Sequence, residues 1–265
     1  MFYKLGFIGC GNMATAIIKG LISSGYIIPD NITVLDTDTE KTKKMLDLNI
    51  KVSTDLKALN DFSNIIFLCV KPQNIKEVLE NLSKLNTDNK VIVSIAAGIT
   101  IDKINKFFKE NKKIIRVMPN VCLMYKEGAS ALASYNVSNE EFDFVFGIFN
   151  SLGLAVKVNE ENFDVVTALS GSGPAFCFKF LENLCDQAVA LGLDKETALN
   201  LAIQTFIGSA KMIKESKFTT DKLINMVSSK GGTTVAGLLA LEENNFDKAV
   251  HSAIIAAEKR SKELS

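Results

Sequence analysis

Lys4-Leu5-Gly6-Phe7-Ile8-Gly9-Cys10-Gly11-Asn12-Met13-Ala14 is the stretch on which the reading of the fold depends. Residues 4–8 read as a short apolar strand, and an apolar helical pattern follows through Ile17, Ile18, Leu21 and Ile22. The glycines between them match G-x-G-x-x-A. In that pattern Gly9 makes the tight turn, Gly11 admits a pyrophosphate, and Ala14 lets the helix pack closely, with the phosphates on the helix N-terminus.

Working outward, a second strand over 32–35 ends in Asp36, at the distance where an acidic residue meets ribose hydroxyls. Asp36 also reads as an ordinary turn residue after a strand. As a ribose ligand its charge opposes a 2′-phosphate, which inclines the coenzyme towards NADH over NADPH. Lys41, Lys43 and Lys44 are near enough in sequence for one of them to reach the same place.

The alternation continues with strands over 64–70, 91–95 and 114–117 and helices over 73–85 and 101–108. Further strands over 129–134 and 155–158 flank a helix over 138–151. This predicts a doubly wound parallel sheet, whose strand ends face the ligand crevice. Cys69-Val70-Lys71-Pro72 and Ser94-Ile95-Ala96-Ala97-Gly98 occupy two such ends, as backbone contacts to a cofactor or as ordinary loops.

Helices alone follow. Val166-Thr167-Ala168-Leu169-Ser170-Gly171-Ser172-Gly173-Pro174-Ala175-Phe176-Cys177-Phe178 reads as a glycine turn that joins two domains or lines a substrate site. Pro174 suits the first turn of a helix that Gly192 ends, and Asp194 caps the next, which runs to Ile213. A segment over 221–227 leads to Ser228-Ser229-Lys230-Gly231-Gly232-Thr233-Thr234, a helix over 235–243 and a last helix over 246–264. The amides of Gly232, Thr233 and Thr234 before a helix make an anion site suited to a carboxylate; the same residues also read as a Gly-Gly turn with a threonine N-cap. The wide apolar faces of these helices predict dimerisation, against a compact monomeric bundle.

Thirty basic and thirty acidic residues cancel without a polybasic block, so a small-molecule partner is expected, with no nucleic acid and no membrane surface. The N-terminus runs from Met1 directly into a strand without a leader pattern, and the five cysteines form no Cys-x-x-Cys pair. A cytoplasmic protein with reduced thiols and no metal is therefore expected. His251, the only histidine, lies in a Lys- and Ala-rich stretch and reads as a surface or packing residue.

Taken together, the motifs resemble the Δ1-pyrroline-5-carboxylate reductase family across nearly the whole chain. The resemblance rests on Gly6 to Met13, Val70-Lys71-Pro72, Ala96-Ala97-Gly98, Met118-Pro119-Asn120, Val166 to Ala175, Gln204-Thr205, Gly208 to Met212 and Gly231 to Thr234. It implies a Rossmann-type dinucleotide-binding domain over 1–160 and an all-α substrate and dimerisation domain over 161–265. It also implies a homodimer, often within a larger ring of dimers, and a substrate pocket at the subunit junction. The implied cofactor set for NADH or NADPH is Ile8, Gly9, Cys10, Gly11, Asn12, Met13, Asp36, Val70, Lys71, Pro72, Ala96, Ala97, Asn120 and Glu160. The implied substrate set is Ser170, Gly171, Gly231, Gly232, Thr233 and Thr234, with the Gly-Gly-Thr-Thr loop holding the carboxylate. The chain departs from the family pattern at Val121-Cys122 in place of Thr-Pro, at Lys230 in place of Pro, and at Lys217-Phe218-Thr219-Thr220 in place of Glu-x-x-Pro.

A carbonyl reductase must protonate a developing alkoxide, whereas a cyclic imine arrives already protonated and needs only orientation and a carboxylate anchor. Sparse acid-base equipment thus fits imine reduction, with Thr234 fixing the carboxylate and Ser172 or Thr167 meeting the nitrogen of 1-pyrroline-5-carboxylate, the product being L-proline. Two other readings stand beside it. A β-hydroxyacid dehydrogenase would use Lys179 and Asn183; a non-catalytic paralogue would keep the nucleotide fold alone.

Overall fold

The computed structural model describes residues 3–109 and 111–264. Met1 and Phe2, where the leaderless N-terminus was expected to begin, lie outside the described residues, as do Glu110 and Ser265. The strands are β1 (Leu5–Ile8), β2 (Ile32–Leu35), β3 (Lys51–Val52), β4 (Ile65–Leu68), β5 (Val91–Ser94), β6 (Lys113–Met118), β7 (Gly128–Tyr135) and β8 (Gly153–Lys157). Between them run α1 (Asn12–Ser23), α2 (Thr39–Leu46), α3 (Leu56–Phe62), α4 (Ile75–Leu82), α5 (Ile101–Asn105) and α6 (Asn139–Asn150). Among the described residues these strands make one sheet in the order β3-β2-β1-β4-β5-β6-β7-β8. The order reverses between β1 and β4, and that switch point opens a crevice at the strands' carboxyl ends.

Side-chain alternation explains why β1 and β4 are apolar throughout. Phe7 and Phe67 fill one face, stacked at 4.5 Å between ring centres, while Ile8, Ile66 and Leu68 fill the other against Leu59 and Leu79. Strands covered on both sides need apolar residues at every position. One pairing departs from the predicted parallel sheet: β7 runs antiparallel to β6, with Arg116 opposite Ala133. The connection from Met118 to Gly128 is too short for the crossover of a dozen or more residues that a parallel neighbour requires.

The chain resolves into two compact units: residues up to 172 together with those from 257 onward, and residues 173–256. In the first unit α7 (Phe163–Val166) precedes a π-helical turn, Thr167–Gly171. The second unit contains α8 (Gly173–Ala190), α9 (Lys195–Glu215), α10 (Thr220–Met226), α11 (Thr233–Glu243) and the start of α12 (Phe246–Leu264). Within it Phe180 meets Phe206 and Phe246 at 5.5 and 5.8 Å between ring centres. Asp194 caps α9 as expected, accepting from the amide of Thr197 at 3.0 Å. Large side chains such as Phe178, Leu201, Ile207 and Ile255 stay exposed in the single chain.

The glycine turn expected over 166–178 is a correction. The backbone remains helical through Gly171 and Gly173, neither of which has a positive φ. Ser172 closes the π turn by donating its amide to the carbonyl of Thr167 at 2.8 Å. Gly171 serves packing: a Cβ there would lie 2.4 Å from Cε of Met118.

Candidate functional site

The β1–α1 turn is built as its glycines require. Gly9 has φ +99°, and a Cβ would fall 2.9 Å from the carbonyl carbon of Cys69 on the neighbouring strand end. Gly11 caps α1 without a side-chain bond, and a Cβ there would meet nothing within 4 Å. The helical ladder starts with the amide of Thr15 on the carbonyl of Gly11 at 2.9 Å. The amides of Asn12, Met13 and Ala14 therefore precede the ladder at the positive end of the helix dipole. Gly11 faces a cleft of about 660 Å³ whose walls include Ile8, Gly9, Asp36, Val70 and Lys71. Open backbone where a side chain would sit, with unpaired amides behind it, fits the diphosphate of a dinucleotide.

Asp36 makes the turn contacts expected of a residue that follows a strand. Its Oδ2 accepts from the amide of Cys10 at 2.6 Å and its Oδ1 from the amide of Asp38 at 2.9 Å, so it ties two loops together while lining the cleft. Of the three lysines within reach, Lys41 lines the cleft; Lys43 pairs instead with Glu40 at 2.6 Å. Cys10 turns into the core, where burial, and secondarily the Asp36 carboxylate, pushes its thiol up to about 12. Burial also raises the thiol of Cys69.

The remaining cofactor candidates are dispersed. Pro72 opens a 3-10 turn after β4; Ala96 is buried and Ala97 exposed just beyond β5. Asn12 faces a separate hollow on α1 with Thr15 and Lys19, and Met13 is half-buried. Asn120, at the end of β6, accepts from the amides of Cys122 and Ala129 and donates to the carbonyl of Ser170 at 3.1 Å. Glu160 Oε1 accepts from the amide of Ile101 at 2.7 Å, at the start of α5, and from Arg116 at 2.9 Å. The guanidinium of Arg116 is buried over the ring of Phe163, 4.4 Å from its centre.

In the π turn, Thr167 donates its hydroxyl to the carbonyl of Phe163 at 2.7 Å and Ser170 to that of Val166 at 3.0 Å. The half-buried hydroxyl of Ser172 has no partner among the described residues. π turns recur at functional sites because the extra residue interrupts the regular ladder.

In the second unit α11 begins at Thr233, two residues before the predicted start. Gly232 is its N-cap with no side-chain bond, which replaces the expected threonine cap. Gly231 takes φ +73°, and the amide of Gly232 donates to the carbonyl of Ser229 at 2.9 Å. The first ladder bond runs from Ala236 to Gly232, so the amides of Thr233, Thr234 and Val235 precede it. Lys179 pairs with Glu182 at 2.6 Å, and Asn183 donates to the carbonyl of Lys179, which leaves both engaged on α8.

Sequence reasoning missed Thr37 and the polar wall formed by Gln73, Asn74, Glu77 and Asn81. Their signal was available: Gln73, Glu77 and Asn81 recur every fourth residue immediately after Lys71-Pro72, which puts one polar stripe of the 3-10 turn and α4 against the crevice.

A family model described as pyrroline-5-carboxylate reductase dimerisation matches residues 160–264, and one described as NADP oxidoreductase coenzyme F420-dependent matches residues 4–98. The pyrroline-5-carboxylate reductase of Methanosarcina acetivorans is 41% identical over 98% of this chain and 97% of its own length. That of Aquifex aeolicus is 38% identical, again over 98% and 97%. The crystal structure of Plasmodium falciparum pyrroline carboxylate reductase with NADP bound is similar at a TM-score of 0.90, with 33% identity and 99% and 98% of the two chains covered. The pyrroline-5-carboxylate reductase structure from Coxiella burnetii reaches 0.92, with 34% identity over 100% and 99%. The likeness runs through both compact units, and the chain belongs to the pyrroline-5-carboxylate reductase family.

Proposed function

We propose that this protein reduces the C=N bond of 1-pyrroline-5-carboxylate to give L-proline, the closing step of proline biosynthesis. The observation that carries the reading is a family likeness spanning 98% of the chain, so that the nucleotide cleft and the α11 start are inherited together. The reduced nicotinamide supplies the hydride when bound. The chain's own residues orient and anchor: the amides of Asn12, Met13 and Ala14 meet the coenzyme diphosphate, and Asp36 meets the ribose. The amides of Thr233 and Thr234, with the Thr234 hydroxyl, hold the substrate carboxylate.

The Thr167 hydroxyl donates its proton to the carbonyl of Phe163, so its oxygen, like that of Ser172, is left to accept from the protonated ring nitrogen. The ring nitrogen of an iminium already carries its proton, which removes the need for a positioned acid or a Lewis-acid metal. His251, exposed on α12, fits that economy. Gly171, Ser170, Lys71, Pro72, Ala96 and Ala97 remain proposed as surrounding contacts, and Asn120 and Glu160 as residues that position the π turn and the start of α5, with coenzyme functions in residues 1–160 and substrate and dimer functions in 161–265.

NADH is favoured over NADPH, because Asp36 opposes a 2′-phosphate. Exposed apolar side chains on α8 and α9 support a homodimer, and sedimentation velocity distinguishes it from a ring of dimers. No helix among the described residues is long and apolar enough to cross a membrane, and the five unpaired cysteines fit a cytoplasmic setting.

The test follows absorbance of NADH and NADPH in parallel with pyrroline-5-carboxylate. Turnover is expected with both coenzymes and faster with NADH at limiting concentration. Thr234→Ala is expected to raise KM for the imine or lower kcat substantially; coenzyme binding without any turnover would sink the reading.

A further inference from the structure

The turn after β2 holds two carboxylates and one cation in a fixed circuit. Asp38 caps α2, its Oδ1 accepting from the amide of Glu40 at 3.0 Å. Its amide donates to Asp36 Oδ1 at 2.9 Å, and Asp36 Oδ2 in turn takes the amide of Cys10 in the glycine turn at 2.6 Å. The remaining oxygen of Asp38, Oδ2, pairs with Lys41 Nζ at 3.1 Å, one helical turn away. Lys41, Thr37 and Asp36 all line the nucleotide cleft. Both partners of the Asp38–Lys41 pair are close to half exposed, at 43% and 44%.

A 2′-phosphate carries nearly two negative charges at neutral pH. Beside Asp36 it meets repulsion, and the cation closest to Asp36 along α2 is already engaged. An exposed pair of this kind is weak, so Asp38 restrains Lys41 without burying it. The long lysine stem leaves the ammonium free to turn to a stronger anion once that restraint is gone.

We propose that the Asp38–Lys41 pair selects the coenzyme: Asp38 withholds Lys41 from the 2′-position, and without the Asp38 charge Lys41 becomes a 2′-phosphate ligand. Asp36 then sets the ribose contact and Asp38 the rejection of phosphate. This rests on the nucleotide-cleft reading given above. It extends that reading by assigning selectivity to a residue whose side chain is engaged with α2 and Lys41.

The test compares two probes that differ only in the 2′-phosphate, 5′-AMP and 2′,5′-ADP, by calorimetry on the full chain, with NADH and NADPH alongside. The chain has no tryptophan, so calorimetry or the coenzyme's own fluorescence replaces tryptophan quenching. Asp38→Asn and Asp38→Ser both keep an N-cap oxygen for α2 while removing the charge. Each is expected to lower the ratio of Kd for 2′,5′-ADP to Kd for 5′-AMP by about threefold, the order of one exposed ion pair. In the Asp38→Asn/Lys41→Met double variant the gain is expected to vanish.

Three outcomes overturn the proposal: an unchanged ratio in both Asp38 variants, a gain that survives Lys41→Met, or a wild-type preference for 2′,5′-ADP that Lys41→Met removes. Failure of wild-type protein to bind either 5′-AMP or NADH would instead overturn the cleft reading itself.

Discussion

Asn120 Nδ2 donates to the carbonyl oxygen of Ser170 at 3.1 Å, fifty residues along the chain, and so fastens the end of β6 to the π turn. The other end of the same side chain accepts two amides, from Cys122 and Ala129. One buried amide thus joins β6, the following 3-10 turn, β7 and the helical turn that carries Ser172.

Asn120→Ala orphans two partly buried donors and one acceptor, and is expected to cost about 2 kcal/mol of stability, read by urea unfolding. Asn120→Asp keeps both acceptor contacts and sets a carboxylate oxygen against the Ser170 carbonyl. Its effect is expected at the π turn, as a several-fold rise in KM for the imine with coenzyme Kd little changed. Equal losses in both constants would place Asn120 elsewhere.

Gly9 and Gly11 are predicted to fail in different ways. Gly9→Ala forces a side chain into φ +99° and against the Cys69 carbonyl, and is expected to lower Tm and expression. Gly11→Ala meets no protein atom, so Tm of the free protein should hold while coenzyme affinity falls by about tenfold or more. Retained affinity in Gly11→Ala would mean that no phosphate approaches there.

Glu160→Gln should act on stability more than on coenzyme affinity. It removes the countercharge of Arg116, which is 5% exposed. Breaking a fully buried pair costs about 3–5 kcal/mol, and the 29% exposure of the Glu160 side chain reduces the expectation to about 2 kcal/mol. Chemical denaturation of the variant measures it, with calorimetric coenzyme titration as the companion reading.

The thiols give a pH dependence of definite sign. Cys10 rises from an ordinary 9.0 to about 12 on folding, through burial first and Asp36 second. The unfolded chain therefore loses this proton first as pH rises. The contribution is complete below the ordinary value of 9.0 and is lost progressively as pH rises towards 12. At mildly alkaline pH buried Cys10 should react with a thiol reagent only after denaturation. Rapid modification of Cys10 in the native protein would contradict its burial.

What could be read beforehand depended on how local the cause was. Gly9, Gly11 and Asp36 were legible because a positive φ, an open approach and a strand-end carboxylate are each specified within a few residues. The apolar tetrads of β1 and β4 were legible for the same reason. α2 and α3 were not assigned, since their short charged sequences carry little apolar periodicity, and the two residues of β3 carry none. The π turn was misread as a break because Gly171 and Gly173 resemble turn residues; its register depends on Met118 and Asn120, distant in sequence. Arg116 opposite Glu160, and Lys41 held by Asp38, are pair relationships that no single residue announces.

The Ser261 hydroxyl donates to Asp164 Oδ1 at 2.6 Å, and residues from 257 onward belong to the same compact unit as the nucleotide cleft. On the ribosome, that unit cannot acquire its last segment until all of residues 173–256 have been synthesised. The earliest part of the chain to emerge is therefore among the last to be completed, and a nascent chain stalled before residue 257 would present an unfinished nucleotide-binding unit to the cell's chaperones.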